Sequence, residues 1–420
     1  MRRAFLALLL AGLTALLAST GQATHAQGAV DVRSSTGESN FPNGIDFRLG
    51  AAASAGFDEV RLVYEVAPDG VRTSAVPDCT GTTTTSCHFL LAADRRNSLI
   101  PGADVTYFWR ITSGGTTQET DPKVVTYEDS RFTWQTASEG NLTIWYYDAS
   151  EGEARSVLAA ARESIDHIGA LLRTTVTFPV KVRYYASAEA MQPAILADNA
   201  RGVITLGEVV YSNTAMVSAD ASPLDITRHE VAHIVVREAV KGPYGVPDWL
   251  NEGTAVFAQS QPLNNQRTAV EDAIQSKQII SVRSLSSASS GASDDTVSLF
   301  YGESWSLVKF LVDTYGNDKF AALFGAFKGG ANDDDALQQV YGFDQDGLEN
   351  AWRASVGLPP RQPVPDNQQP SAPTAQPAAQ PASKGSDGTP IGLIAVIAVL
   401  TVVLAGGLLG TAVVLARRYR

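Results

Sequence analysis

The sequence predicts a multidomain chain: an all-β sandwich, then an α+β domain, then a single C-terminal transmembrane helix. Three observations predict it. Short β-branched and aromatic runs separated by turn residues extend from about Val30 to Thr136, and helical spacing takes over after Asn141. A stretch without a charged residue, Ile391 to Ala416, then precedes Arg417-Arg418-Tyr419-Arg420. With 420 residues, 44% hydrophobic and 18% charged, the chain can build two cores, which excludes a disordered or collagenous protein. Its 32 basic and 44 acidic residues leave a net charge of −12, which argues against nucleic acid as a partner, because phosphate binding needs a Lys/Arg surplus.

Residues 1–26 have the layout of a secretory signal peptide. Met1-Arg2-Arg3 supplies the positive start, Ala4 to Ala18 the apolar run, and Ala26 the small residue at the cleavage point. The sandwich is expected over 27–137. Its strands are placed at Asp46–Leu49, Glu59–Val66, Cys87–Ala92, Val105–Ile111 and Val124–Tyr127, with turns such as Pro68-Asp69-Gly70 and Pro101-Gly102-Ala103 between them. This spacing argues an immunoglobulin or fibronectin III-like unit. No His/Cys/carboxylate constellation lies in it, so it is read as a structural or docking module of unidentified partner. Cys79 and Cys87, in a segment expected to be exported, predict a small-loop disulfide.

The second domain is expected over 138–357. Strands are predicted at Leu142–Tyr147, Phe178–Tyr185 and Val209–Val217, helices at Glu151–Leu172 and Ala188–Ala197, and helices almost throughout from Pro223. Asn141-Leu142-Thr143 is a formal glycosylation sequon at a strand start and carries little weight. Residues 358–389, rich in Pro, Gln and Ala, have no capacity for a core and read as a stalk. Residues 390–416 are long enough to cross ~30 Å of hydrocarbon. The basic tail 417–420 favours the cytoplasmic side, which places the N-terminal ectodomain outside the cell membrane.

The chemistry concentrates in Arg228-His229-Glu230-Val231-Ala232-His233. On a helix, positions i and i+4 share a face, so two imidazoles can hold one tetrahedral ion, and the Glu beside them can take a proton from water. Pro223 in the first turn, Asp225 near the positive end, and Ile226, Ile234 and Val235 on an apolar side agree with a helix. A third ligand is expected on a second, facing element. Glu252, in Asp248-Trp249-Leu250-Asn251-Glu252-Gly253-Thr254-Ala255, follows a Gly/Pro loop that can turn the chain back. Asp225 and Asp248 are candidates to orient the imidazoles from behind. His167 is read as an ordinary histidine, and Asp333-Asp334-Asp335 as a solvated helix start, not a calcium loop.

H-E-V-A-H, with 18 residues between its second His and the Glu of W-L-N-E-G-T-A, resembles the gluzincin metallopeptidases over about Asn141–Gly357. It is most similar to the peptidase MA-like domains of secreted and membrane-anchored bacterial proteins. The resemblance implies a zincin-like fold, one Zn2+ per chain held by His229, His233 and Glu252, Glu230 as general base, and a peptide or protein substrate. It also implies that Tyr301, expected to open a helix running to Tyr315-Gly316, donates to the oxyanion. One departure stands out. Gluzincin aminopeptidases hold the substrate's free amine with a G-x-M-E-N stretch on the edge strand, whereas this region reads Gly207-Glu208-Val209-Val210-Tyr211-Ser212-Asn213. The segment still suits an edge strand for an extended peptide. The function expected is therefore a membrane-anchored extracellular zinc metallopeptidase. The alternative is a cell-surface binding protein whose peptidase-like domain holds zinc without catalysis.

Overall fold

The computed structural model describes residues 30–361, apart from 69, 95–98, 196–206, 212, 221, 242–244 and 287–292. The segments expected to form a signal peptide, a transmembrane helix and a basic tail, and the expected stalk beyond residue 361, lie outside the described residues. Among the described residues no helix is long and apolar enough to cross a membrane.

Two antiparallel sheets form the first domain. One has the order β1 (Asp31–Asn40), β2 (Gly44–Ala52), β6 (Thr84–Ala92), β5 (Asp78–Thr80). The other has β4 (Thr73–Ala75), β3 (Glu59–Val66), β7 (Asp104–Ser113), with β8 (Thr116–Glu119) and β9 (Lys123–Thr126) both on the far side of β7. This strand order follows the immunoglobulin-type sandwich. Strict alternation builds its core: Val105, Tyr107, Trp109 and Ile111 of β7 face Ile45, Phe47 and Leu49 of β2, and the Phe47 and Tyr107 rings lie 4.7 Å apart. Strand β1 is polar and largely exposed, so its sequence carries no strand signal; pairing with β2 creates it. Cys79 and Cys87 are directly opposed on β5 and β6 and are disulfide-bonded.

The second domain is built on a mixed sheet of order β10 (Gln135–Glu139), β11 (Leu142–Tyr146), β12 (Val180–Tyr185), β14 (Thr214–Ser218), β13 (Gly207–Tyr211). Its first strand begins at Gln135, so the sheet starts upstream of the 137/138 boundary. The strand expected over Val209–Val217 is instead a hairpin, with β13 antiparallel to β14 at the sheet edge. Asn213 makes that break, its Nδ2 donating to Pro179 O at 3.0 Å. The helix expected over Ala188–Ala197 is only one turn, α2 (Ala188–Met191), followed by a 3-10 turn at Gln192–Ala194 where Pro193 lacks an N–H. Asn141 of the sequon is engaged, its Nδ2 donating to Val176 O and Phe178 O at 3.0 and 2.8 Å.

Helix α1 (Glu151–Leu172) has the bounds its sequence predicts, because Ser150 caps it and Arg173 ends it in the left-handed conformation. Together with α3 (Pro223–Val240) it covers one face of the sheet, which Leu142, Ile144, Val180, Val182, Tyr184, Ala215 and Val217 make apolar. The remaining helices are α4 (Asp248–Ala258), α5 (Asn264–Ser276), α6 (Val282–Leu285), α7 (Asp294–Lys328), α8 (Asp333–Tyr341) and α9 (Gln345–Ser355). Asn332 caps α8, so the three aspartates do begin a helix.

The sandwich covers the opposite face of this sheet. Tyr147, Tyr185 and Met216 join the sandwich core there. Arg183 of β12 is buried between Trp145 and Trp134, its guanidinium 4.7 and 5.2 Å from their ring centroids, and it pairs with Glu128 at 2.7 Å. Lys181 reaches Asp104 at 2.6 Å. Asp129, fully buried, accepts from Arg131 at 2.6 Å and from the Tyr185 hydroxyl at 3.2 Å.

Candidate metal centre

The pinned ends of α3 and α4 set the site. Pro223 occupies the first turn of α3, and Asp225 there accepts from Arg228 at 3.0 Å and from the backbone N–H and hydroxyl of Ser260, just past α4, at 3.0 and 2.8 Å. Arg228 also reaches Glu163 of α1 at 2.9 Å. These contacts hold α3 and α4 face to face.

His229 and His233, one turn apart on α3, bring their Nε2 atoms to 3.2 Å of each other. Glu252 of α4 approaches them at 3.4 Å (Oε2 to His229 Nε2) and 3.5 Å (Oε1 to His233 Nε2). One ligand atom from each residue lies within 4.8 Å of the others, forming a possible His-His-Glu metal site. His229 and Glu252 are buried, and His233 is the most exposed of the three. Burial holds the His229 pKa below its ordinary value, with the neighbouring His233 adding to the effect, so its lone pair is available to a cation. Burial alone would raise the Glu252 carboxyl, but His233 and His229 beside it bring it below the ordinary carboxylate value. Its Oε2 is buried with no well-formed hydrogen bond. Two imidazoles and one carboxylate with an orphaned buried oxygen fit a divalent zinc ion.

Two amides stand behind the histidines. Asn251 donates Nδ2 to Glu252 Oε1 at 3.1 Å, which turns its Oδ1 toward His233 Nδ1 at 3.0 Å. A carboxylate only accepts, so this chain of bonds puts the proton on His233 Nδ1 and leaves Nε2 free for a metal. Gln259 lies 3.3 Å from His229 Nδ1. These are the places expected for Asp225 and Asp248. Asp225 is instead engaged with Arg228 and Ser260, and Asp248 is the first residue of α4. Sequence reasoning missed both amides, although Asn251 adjoins Glu252 and Gln259 follows Glu252 by seven residues, two helical turns. His167 is exposed on α1 and outside the cluster.

Glu230 is buried on α3 between the two histidines in sequence. Tyr301 does not open its helix: Ser293 caps α7 and Tyr301 sits inside its first part, which ends as expected at Gly316, a non-helical residue that separates it from a second helical part. Its ring is nonetheless 6.0 Å from that of His229. Burial pushes its hydroxyl well above the ordinary tyrosine value, and the charges of Glu252 and Glu230 push in the same direction, so it stays a proton donor. Two glycines permit this proximity. A Cβ on Gly253 would lie 2.3 Å from Ser304 O, and one on Gly302 would lie 2.3 Å from Gln266 O. Helix α7 therefore touches α4 and α5 backbone to backbone around Tyr301.

Residues 160–357 match the family described as the Peptidase MA superfamily. The match bears out the resemblance carried by H-E-V-A-H and W-L-N-E, and the second domain is metallopeptidase-like. No curated protein matches the chain. Among solved structures, an aminopeptidase N family protein from Idiomarina loihiensis is similar at 11% identity and a TM-score of 0.33, over 77% of this chain and 75% of that one. The bromine derivative of BhCBM56 is similar at 11% identity and TM-score 0.17, over 23% of this chain and 98% of that one. A GH family 64 laminaripentaose-producing β-1,3-glucanase from Paenibacillus barengoltzii is similar at 18% identity and TM-score 0.16; the match covers 26% of this chain and 27% of the glucanase.

Proposed function

We propose that this protein is a membrane-anchored, extracellular zinc metallopeptidase that hydrolyses peptide bonds. The observation that carries the proposal is the convergence of His229, His233 and Glu252 within a Peptidase MA domain, with Glu230 in the same helical turn. Zinc held by those three side chains would supply a Lewis acid and make water acidic enough to lose a proton near neutral pH. Glu230 is the general base that takes this proton as the water oxygen bonds to the peptide carbonyl carbon, and then passes it to the leaving amine as the C–N bond breaks. Tyr301, kept protonated by its surroundings, donates to the carbonyl oxygen as it becomes negative. An extended peptide substrate would add to the edge of the sheet at β13. The anchor at 390–416 and the outward orientation rest on the charge-free run and on the basic tail.

The test uses the full chain. Zinc stoichiometry should be one per chain, and the chain should remain with membranes after a high-salt wash. Glu230→Gln should hold zinc normally while peptide hydrolysis falls about 10²–10⁴-fold. Parental hydrolysis by Glu230→Gln would remove Glu230 as the base, and an uncleaved chain free in the medium would remove the anchor. Zinc binding with no hydrolysis of peptide libraries by the parent would favour the zinc-holding binder.

A further inference from the structure

We infer that Gln259 is a positioning residue: its side-chain amide accepts the Nδ1 hydrogen of His229 and so presents the His229 Nε2 lone pair to the metal. The inference rests on the zinc reading above and extends it to a residue no motif marks. The geometry is specific. Gln259 is almost fully buried, and its amide nitrogen lies 3.3 Å from His229 Nδ1. The other end of the same amide, Oε1, is buried with no hydrogen-bond partner. An NH2 group facing Nδ1 would require Nδ1 to be the acceptor and place the imidazole hydrogen on Nε2, the atom that points at His233 and Glu252. An amide turned by 180° fills the same volume. Its oxygen then meets Nδ1–H, the orphaned Oε1 gains its bond, and Nε2 is left free for coordination. Asn251 performs the same service for His233, its orientation fixed by Glu252.

The backbone that carries Gln259 is held in place. It caps the C-terminal end of α4, with its N–H donating to Val256 O at 3.1 Å, and the adjacent Ser260 is tied to Asp225 in the first turn of α3. Glu252 and Gln259 are therefore set by one helix, the first as a ligand and the second as support for another ligand. Both supports are neutral amides rather than carboxylates, so neither raises imidazole basicity as an anion would. A carboxylate at 259 would accept the same hydrogen and add negative charge behind the ligand.

The experiment measures zinc affinity of the full chain by competition with a chromophoric chelator, alongside thermal melting of the metal-stripped protein. Gln259→Leu, similar in length but unable to accept, should bind zinc about 10–100-fold more weakly. Gln259→Glu should bind at least as tightly as the parent. Parental affinity in Gln259→Leu overturns the inference and leaves the zinc site standing. Should Gln259→Leu fail to fold, Gln259→Glu decides: a tenfold loss there overturns the assignment, and parental or tighter binding supports it. A parent that binds no zinc removes the metal site itself, a distinct failure from either variant result.

Discussion

The two faces of the central sheet are buried by different means. On the helical face, β11, β12 and β14 present aliphatic side chains and Tyr184 to α1 and α3, and the polar groups gather above them between α3, α4 and α7. On the other face, β12 places Lys181, Arg183 and Tyr185 against the sandwich, where ion pairs and aromatic rings take the place of aliphatic packing. A single strand thus alternates between two kinds of burial. The helical face gathers its polar atoms into the His229, His233 and Glu252 cluster, whereas the sandwich face uses them to fix one domain on the other. Substitutions on the first should change rates at constant stability, and those on the second should change stability at constant rate.

After Glu230→Gln, the largest effect expected under this division belongs to Tyr301→Phe. Losing one oxyanion donor should lower kcat roughly 10²–10³-fold with KM and zinc affinity near parental. Full activity in steady-state assays would pass the oxyanion role to another group. Next comes Arg183→Met, which fills the same slot between Trp134 and Trp145 but cannot pair with Glu128. The lost charge-assisted and cation–π contacts should cost about 1–3 kcal/mol. At roughly 2–4 °C per kcal/mol for a domain of this size, calorimetry should show a clear fall in Tm with unchanged zinc affinity. An unchanged Tm would mean that the domain contact contributes little stability.

A last effect sharpens the comparison, since it places a stability term on the helical side. Burial pushes the Glu303 carboxyl from 4.5 up to about 8, against the Ile280 N–H that donates to both its oxygens at 3.1 Å. Nearby Glu349 adds to the rise. The folded state therefore binds the extra proton more tightly than the unfolded chain. That contribution is complete below 4.5 and is lost as pH rises through about 8. Glu303→Gln should flatten this part of the Tm–pH curve; parallel curves for parent and variant would show that Glu303 does not set it.

The sequence made the helical side far more legible than the sandwich side. Glu151–Leu172 shows its Ser150 cap and its 3.6-residue spacing, and the proposed metal ligands are marked by an i, i+4 pair and a facing Glu. These signals are local. Arg183 and Asp129 carry none, because their burial depends on residues brought together only by the fold. Strand β1 is similarly silent, as its polar sequence becomes a strand only through β2. Tyr301 was located by resemblance, but its helix begins at Asp294, where a Ser293 cap outweighs the Tyr-Gly pair as a start signal. Gln259 lay within reach of the sequence through its two-turn spacing from Glu252, yet only the fold puts its amide against His229.

The backbone contacts at Gly253 and Gly302 bear on how the site can move. Ordinary helix pairs slide a little because side chains between them change rotamer. Here the main chains meet directly, 2.3 Å from where a Cβ would sit on either side of α7, and that compliance is missing. The part of α7 before Gly316 is wedged between α4 and α5, so Tyr301 has no means of approaching or leaving Glu252 alone. A displacement of α7 at Tyr301 therefore has to displace the backbone of α4 or α5 as well. The constraint ends at Gly316, whose φ of 84° and ψ of 163° break the helix and which has open space on its Cβ side.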